Sequence, residues 1–360
     1  MRLPANFNKM IQTKTLRALL GYLLGLACYQ QAAAIEDSEF VKSQEPGKYI
    51  LVAEEGEWTW GMAPIYDEDG KLHIFNSVIP NQGSWIKHSK IVHWVADSVE
   101  GPYTRLGDLF ISEEASYHNP QISKVDDTYV LVFLLNRYND ENGSKQEVGI
   151  ATAKSLDGPW TESPHNPVIA ATGKMGGYDI NHASNPTFVK APDGKFRIYF
   201  KSMTNERPMR KGFREISLAV SDNIEGPYEN YENNPLISYA EHGVDIEDPY
   251  AFYYNGMYYM ILEDRRGVQN LLAGNPLPQE EIKNGGYRPG IIYQSKDGLD
   301  WGIPKVGYLT NELYFGDKLA RSERPSILWK DGKPECLFLA CHDDKPSAGY
   351  YIKLNNWEGE

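Results

Sequence analysis

The sequence predicts an all-β chain folded as a five-bladed β-propeller, and three observations carry that expectation. A proline-led unit of short apolar runs returns five times between Trp60 and the C-terminus. A second mark, Gly-Pro-aromatic or Asp-Trp, follows each of the first four units. No long amphipathic helix interrupts them.

Each unit opens with a hairpin, because apolar runs broken by Asp-Gly or Asn-Gly are hairpin signals. The first runs Ala63-Pro64-Ile65-Tyr66, turns at Asp67-Glu68-Asp69-Gly70 and resumes at Leu72-His73-Ile74-Phe75. The second begins Asn119-Pro120-Gln121-Ile122 and returns at Tyr129-Val130-Leu131-Val132-Phe133. In the third, Asn185-Pro186-Thr187-Phe188 leads through Asp193-Gly194 to Phe196-Arg197-Ile198-Tyr199-Phe200. The fourth joins Asp248-Pro249-Tyr250 to Tyr258-Tyr259-Met260-Ile261-Leu262 across Asn255-Gly256, and the fifth joins Arg324-Pro325-Ser326-Ile327-Leu328 to Leu337-Phe338-Leu339 across Asp331-Gly332. The later marks, Gly101-Pro102-Tyr103, Gly158-Pro159-Trp160, Gly226-Pro227-Tyr228 and Asp300-Trp301, supply strands three and four.

Five such sheets suit a propeller, in which each sheet buries its faces against its neighbours around a ring. A pair of β-sandwiches would show similar strands but needs no fivefold repeat. The last unit ends weakly at Tyr350-Tyr351-Ile352-Lys353-Leu354, so Lys48-Tyr49-Ile50-Leu51-Val52 is expected to close the ring.

Residues 1–34 are set apart from residues 35–360, which form the propeller. Arg2, Lys9, Lys14 and Arg17 precede an apolar run from Ala18 to Cys28 and then Ala32-Ala33-Ala34, the layout of a cleavable export signal. The run is too short for a membrane span. An alternative makes Cys28 an acylated N-terminus, although Gly25 sits where such signals carry Leu. Export would leave the protein periplasmic or extracellular. The net charge of −13 argues against nucleic acid and anionic membranes as partners. Cys336 and Cys341, without clustered histidines, predict neither a disulfide nor a zinc site.

The innermost strand of every blade starts at the central pocket, so the two residues before each proline should converge there. Those pairs are Met62-Ala63, His118-Asn119, Ser184-Asn185, Glu247-Asp248 and Glu323-Arg324. The proline and its apolar sequel repeat while the pair varies, which suggests a built site. Two carboxylates facing each other among amides and imidazoles suit glycosidic cleavage, one protonating the leaving oxygen and one activating water. Glu247 is expected to be the acid, raised by burial and by its neighbour Asp248.

Ile246-Glu247-Asp248-Pro249-Tyr250, followed by Tyr254-Asn255-Gly256-Met257-Tyr258-Tyr259, resembles the blade that carries the general acid in family 43 glycoside hydrolases and their five-bladed relatives. The Asn-Pro starts and Gly-Pro-Trp/Tyr marks resemble that group too. The resemblance implies an Asp base before the first proline and a tuning Asp before the third, where this chain has Ala63 and Asn185. Glu323 is the nearest substitute, with Asp179 and Asp245 as others. It also brings a structural calcium into view, although no cofactor is required. A non-catalytic carbohydrate-binding propeller and a phosphorolytic relative stay open beside the hydrolase.

Further residues are expected near the pocket. Asp179 and His182 arrive on the loop Gly176-Gly177-Tyr178-Asp179-Ile180-Asn181-His182 and, with His118, would grip sugar hydroxyls or fix loops. Trp58 and Trp60 would stack on a sugar or pack blades. Arg137, Arg265 and His342 end second strands at the pocket mouth, and Arg324 lies deeper. An arginine there could fork onto an acidic or sulfated sugar, or simply pair within a loop. The expected substrate is an oligosaccharide or polysaccharide, attacked from its end and with inversion if the carboxylates stand about 6.5–9.5 Å apart.

Overall fold

β1 (Gln44–Ile50) is the outer strand of the fifth blade, and from there the sheets follow in sequence order, innermost strand first. Blade one holds β2 (Glu57–Tyr66), β3 (Leu72–Pro80), β4 (Lys90–Ala96) and β5 (Thr104–Leu109). Blade two holds β6 (Ala115–Val125), β7 (Thr128–Arg137), β8 (Lys145–Ala153) and β9 (Thr161–Glu162). Blade three is β10 (Ala183–Lys190), β11 (Phe196–Met203), β12 (Arg214–Ser221) and β13 (Glu229–Asn230). Blade four is β14 (Glu247–Tyr254), β15 (Met257–Glu263), β16 (Gly290–Ser295) and β17 (Lys305–Tyr308). Blade five completes the set with β18 (Ser322–Lys330), β19 (Lys333–Cys341) and β20 (Gly349–Leu354), against which β1 pairs antiparallel.

This computed structural model describes residues 35–137, 145–174, 177–179, 182–204, 212–265, 267–278, 289–316, 321–341 and 349–360. The segment 1–34 read as an export signal, with Cys28, and also His342, lie outside them. No helix among the described residues is long and apolar enough to cross a membrane.

The five inner strands touch in the order β2, β6, β10, β14, β18, and β18 returns to β2. Five separate cores fill the seams. Phe75, Tyr117 and Phe133 lie between blades one and two, and Tyr199, Leu218, Met260 and Leu262 between blades three and four. Each such side chain contributes roughly 1.5–3 kcal/mol by leaving water. The Gly-Pro marks turn the backbone from third to fourth strand. Gly101, Gly158 and Gly226 have φ of +81°, +86° and +90°, which only glycine adopts at low cost. The aromatic two residues on then bonds back into the turn, as Trp160 Nε1 does to the Leu156 carbonyl at 3.2 Å and the Tyr228 hydroxyl to that of Ile224 at 2.8 Å.

Close packing makes one glycine testable. A Cβ on Gly290 would lie 1.9 Å from the ring of Tyr308, which is fully buried and donates to the Ser322 carbonyl at 2.9 Å. Gly290→Ala is expected to cost about 1–3 kcal/mol. A thermal melt checks it, and an unchanged Tm would show that this wall yields.

The inner strands share a device that positions the site. A one-residue bulge breaks the ladder in each: Glu247 pairs with Glu263, for example, and Tyr250 with Ile261. The bulged residues Asn119, Asn185, Asp248 and Arg324 have φ of 50–57°. In blade one the bulge falls at Gly61, φ +60°, between Trp60 and Met62. Trp60-Gly61 therefore corresponds to His118-Asn119 and its counterparts, and Met62 stands where the other blades have proline. Alignment on Pro64 predicts Met62-Ala63 at the pocket. The structure corrects that placement, since Ala63 is wholly buried in the core between blades one and two.

Candidate active site

The bulged residues form a closed floor. Asn119 Nδ2 donates to Asn185 Oδ1 at 2.9 Å, and Asn185 Nδ2 donates to Asp248 Oδ1 at 2.5 Å. Asp248 Oδ2 accepts the Arg324 backbone N–H at 3.1 Å, and Arg324 returns an Nη2 hydrogen bond to the Asn119 carbonyl at 3.3 Å. A Cβ at Gly61 would sit 3.3–3.6 Å from Asn119 and Arg324, so the fifth place is occupied by the arginine. Below the floor, Met62, Pro120, Pro249 and Pro325 leave no room for a water molecule. The pocket above is therefore blind, with a volume of about 510 Å³.

Residues one step before the bulges face that pocket: Trp60, His118, Glu247 and Glu323. Glu247 is caged. Lys201 Nζ lies 2.6 Å from Oε1, while Arg214 Nε and Arg265 Nη1 lie 3.0 and 3.2 Å from Oε2. Burial would raise its pKa, but the three cations outweigh burial and hold the carboxyl well below its ordinary value. Asp245, set behind the pocket, binds Arg214 Nη1 at 2.9 Å and fixes one bar of the cage.

Glu323 behaves oppositely. Burial first, and the Asp248 charge second, raise it to about 7 against the pull of Arg321 and Arg265. Glu263 is pushed well above its ordinary value by burial and by Glu323. Asp248 is raised by burial despite Arg324. The carboxylate oxygens of Asp248, Glu263 and Glu323 all fall within 4.8 Å of one another, and this crowding of like charges favours the protonated forms of Glu263 and Glu323, the opposite of the pull on Glu247. The expectation that burial and Asp248 raise the Glu247 carboxyl is thus reversed. Asp248 adjoins Glu323 through charge and spends its oxygens on the floor.

Calcium does not suit this cluster. It takes six to eight oxygens, whereas Arg265 already lies 3.7 and 3.8 Å from Glu263 and Glu323, and Arg324 lies 3.5 Å from Asp248.

The walls gather most of the remaining expected residues. Trp58, Trp60, His118, His182, Asn119, Asn185 and Arg265 all line the cavity. His118 Nδ1 bonds the Ser89 hydroxyl at 2.7 Å, and burial with Arg324 and Lys201 lowers its pKa to about 3, leaving a neutral imidazole. Asp179 is not brought in: it accepts from the Thr172 hydroxyl at 2.6 Å and fixes its own loop. Arg137 likewise pairs with Glu147 at 2.5 Å.

Sequence reasoning missed Trp85, Lys201, Arg214, Glu263 and Arg321. A signal exists for two of them. Lys201 is the ladder partner of Ser184 and Glu263 that of Glu247, so the end of each second strand mirrors the pocket position across the hairpin.

No protein-family model matches the chain, and no curated protein matches it by sequence. Solved structures do match its fold. A family 117 glycoside hydrolase from the marine bacterium Zobellia galactanivorans is 17% identical over 89% of this chain and 92% of its own, with a TM-score of 0.61. A protein solved as an RGII complex is 11% identical over 89% and 92%, with a TM-score of 0.60. A family 43 β-xylosidase/α-arabinofuranosidase from a compost microbial metagenome, in complex with xylotriose, is 13% identical over 86% and 94%, with a TM-score of 0.55. The five-bladed architecture expected from the sequence is the one these glycoside hydrolases share.

Proposed function

We propose that this protein is a glycoside hydrolase that removes sugar from the end of an oligosaccharide or polysaccharide, with Glu323 giving a proton to the leaving oxygen and Glu247 as the ionised partner. One observation carries the reading. Two buried carboxyls share the guanidinium of Arg265, at 3.2 and 3.8 Å, yet their pKa values are driven apart. Such divergence is how one site holds an acid and a base at the same pH.

The blind floor favours the ends of a saccharide over its middle. Trp58, Trp60 and Trp85 offer faces for sugar rings, and neutral His118, Gln146 and Asn185 offer groups for hydroxyls. Arg321, about half exposed beside Glu323, suits a carboxylate or sulfate on the substrate. Solved structures sharing the fold, two with xylotriose or RGII in their names, support a saccharide substrate by analogy. The segment 1–34 would place this activity outside the cytoplasm.

Purified protein offered a panel of neutral, uronic and sulfated oligosaccharides is expected to release a single sugar, and the product anomer read by NMR tells inversion from retention. Glu247→Gln should lower turnover at least about 100-fold without loss of fold. Saccharide binding with no product from any of them would make the pocket a lectin-like site instead.

A further inference from the structure

On the outer part of blade one, away from the pocket, two buried histidines face each other. His93 pairs with Phe75 across β3 and β4, so His73, two residues before Phe75, shares its face of the sheet. His73 Nδ1 lies 2.7 Å from His93 Nε2, and both residues are at most 5% exposed. The ring of Phe75 stacks on His93 at 4.4 Å and 11°, fixing its plane. Asp157, exposed in the turn after β8 of blade two, brings a carboxylate oxygen within 4.8 Å of a ring nitrogen of each histidine.

The far side of His73 is built as well. Its Nε2 lies 3.3 Å from Asp67 Oδ2, and Asp67 Oδ1 accepts the backbone N–H groups of Asp69 and Lys71 at 3.0 and 2.7 Å. A carboxylate on the distal nitrogen sets the tautomer: Nε2 carries the proton and Nδ1 presents its lone pair. His93 must then donate Nε2–H to it. Moving that proton to Nδ1 of the same ring frees a second lone pair at the same point, without releasing a proton.

We propose that His73, His93 and Asp157 bind one zinc ion, with Asp67 orienting His73, and that the ion ties blade one to blade two. Two imidazoles and one carboxylate form a common zinc ligand set, with a water in the fourth place. Tetrahedral bonds of about 2.0–2.1 Å put ligand atoms about 3.3 Å apart, so the imidazoles need to part by about half an ångström. The Asp157 carboxylate, on an exposed side chain, closes the rest. The sequence hid this group because its members stand on β3, β4 and a turn of the next blade.

The test uses untagged full-length protein stripped with chelator and titrated with zinc, then with cobalt. One equivalent is expected to bind, with Tm rising by roughly 2–5 °C at a hundredfold excess over Kd. Cobalt should give the strong visible bands of a four-coordinate site. Asp157→Asn, at an exposed position, should weaken zinc at least about tenfold while leaving the metal-free Tm unchanged, and His93→Gln should abolish the cobalt bands. Absence of binding overturns the proposal. So does zinc that Asp157→Asn and His93→Gln retain but Glu323→Gln loses, which would put the ion at the carboxylates of the pocket.

Discussion

Glu323→Gln is expected to lower turnover by about 10²–10⁴-fold and to erase the alkaline limb of the pH profile. In the parent protein that limb should fall through about pH 7, where Glu323 gives up its proton, while Glu247 stays ionised far into acid. The same titration acts on stability. Because the folded value lies above the unfolded one, near 4.5, the contribution of protonated Glu323 is complete below pH 4.5. It is lost as pH rises through about 7. Glutamine cannot ionise, so the variant should be the more stable protein above about pH 7, by on the order of 2–3 kcal/mol. Rate profiles and melts at about pH 5 and about pH 8.5 check both halves. An alkaline limb that survives in the variant would remove Glu323 from the acid role.

Asp248→Ala should damage the fold by about 3–5 kcal/mol, because it strips a buried arginine of its counter-charge. The loss reaches further than one ion pair. Asp248 accepts from both Asn185 and the Arg324 backbone, so the floor opens at two places. Asp248→Asn separates charge from shape. It keeps a side chain of the same size, but removes the charge that is the second cause of the raised Glu323 pKa. Its alkaline limb should therefore move to lower pH. An alanine variant as stable as the parent would show that the floor bonds are not structural.

Much of the ring is legible in the sequence because its signals are local. Pro120, Pro186, Pro249 and Pro325 each follow a bulge, where a residue without an N–H costs the ladder nothing. Blade one reaches the same bend by other means, through Gly61 at positive φ, and Pro64 is an ordinary strand residue further on. Alignment by proline slips there for that reason.

The electrostatics are harder to see. Asp248 is the neighbour of Glu247 in sequence and argues for a raised pKa, but the decisive charges come from elsewhere. Lys201 lies near the end of β11, Arg214 begins β12 and Arg265 follows β15. Only the register of two hairpins brings them onto one carboxylate. The two histidines of blade one are hidden for the same reason.

The fifth blade is made from both ends of the described residues. β1 lies against β20, the Glu360 carboxylate accepts the N–H groups of Glu39 and Phe40 at 3.2 and 3.0 Å, and the Asn355 N–H bonds the Ser43 carbonyl at 2.9 Å. Pairing β1 with β20 closes the longest loop of any strand pair in the ring, and so carries the largest loop-closure entropy. Arg324, which completes the pocket floor, belongs to this same blade. The pocket floor is therefore complete only when the blade that closes the circle is in place, because four blades alone lack the arginine that seals it.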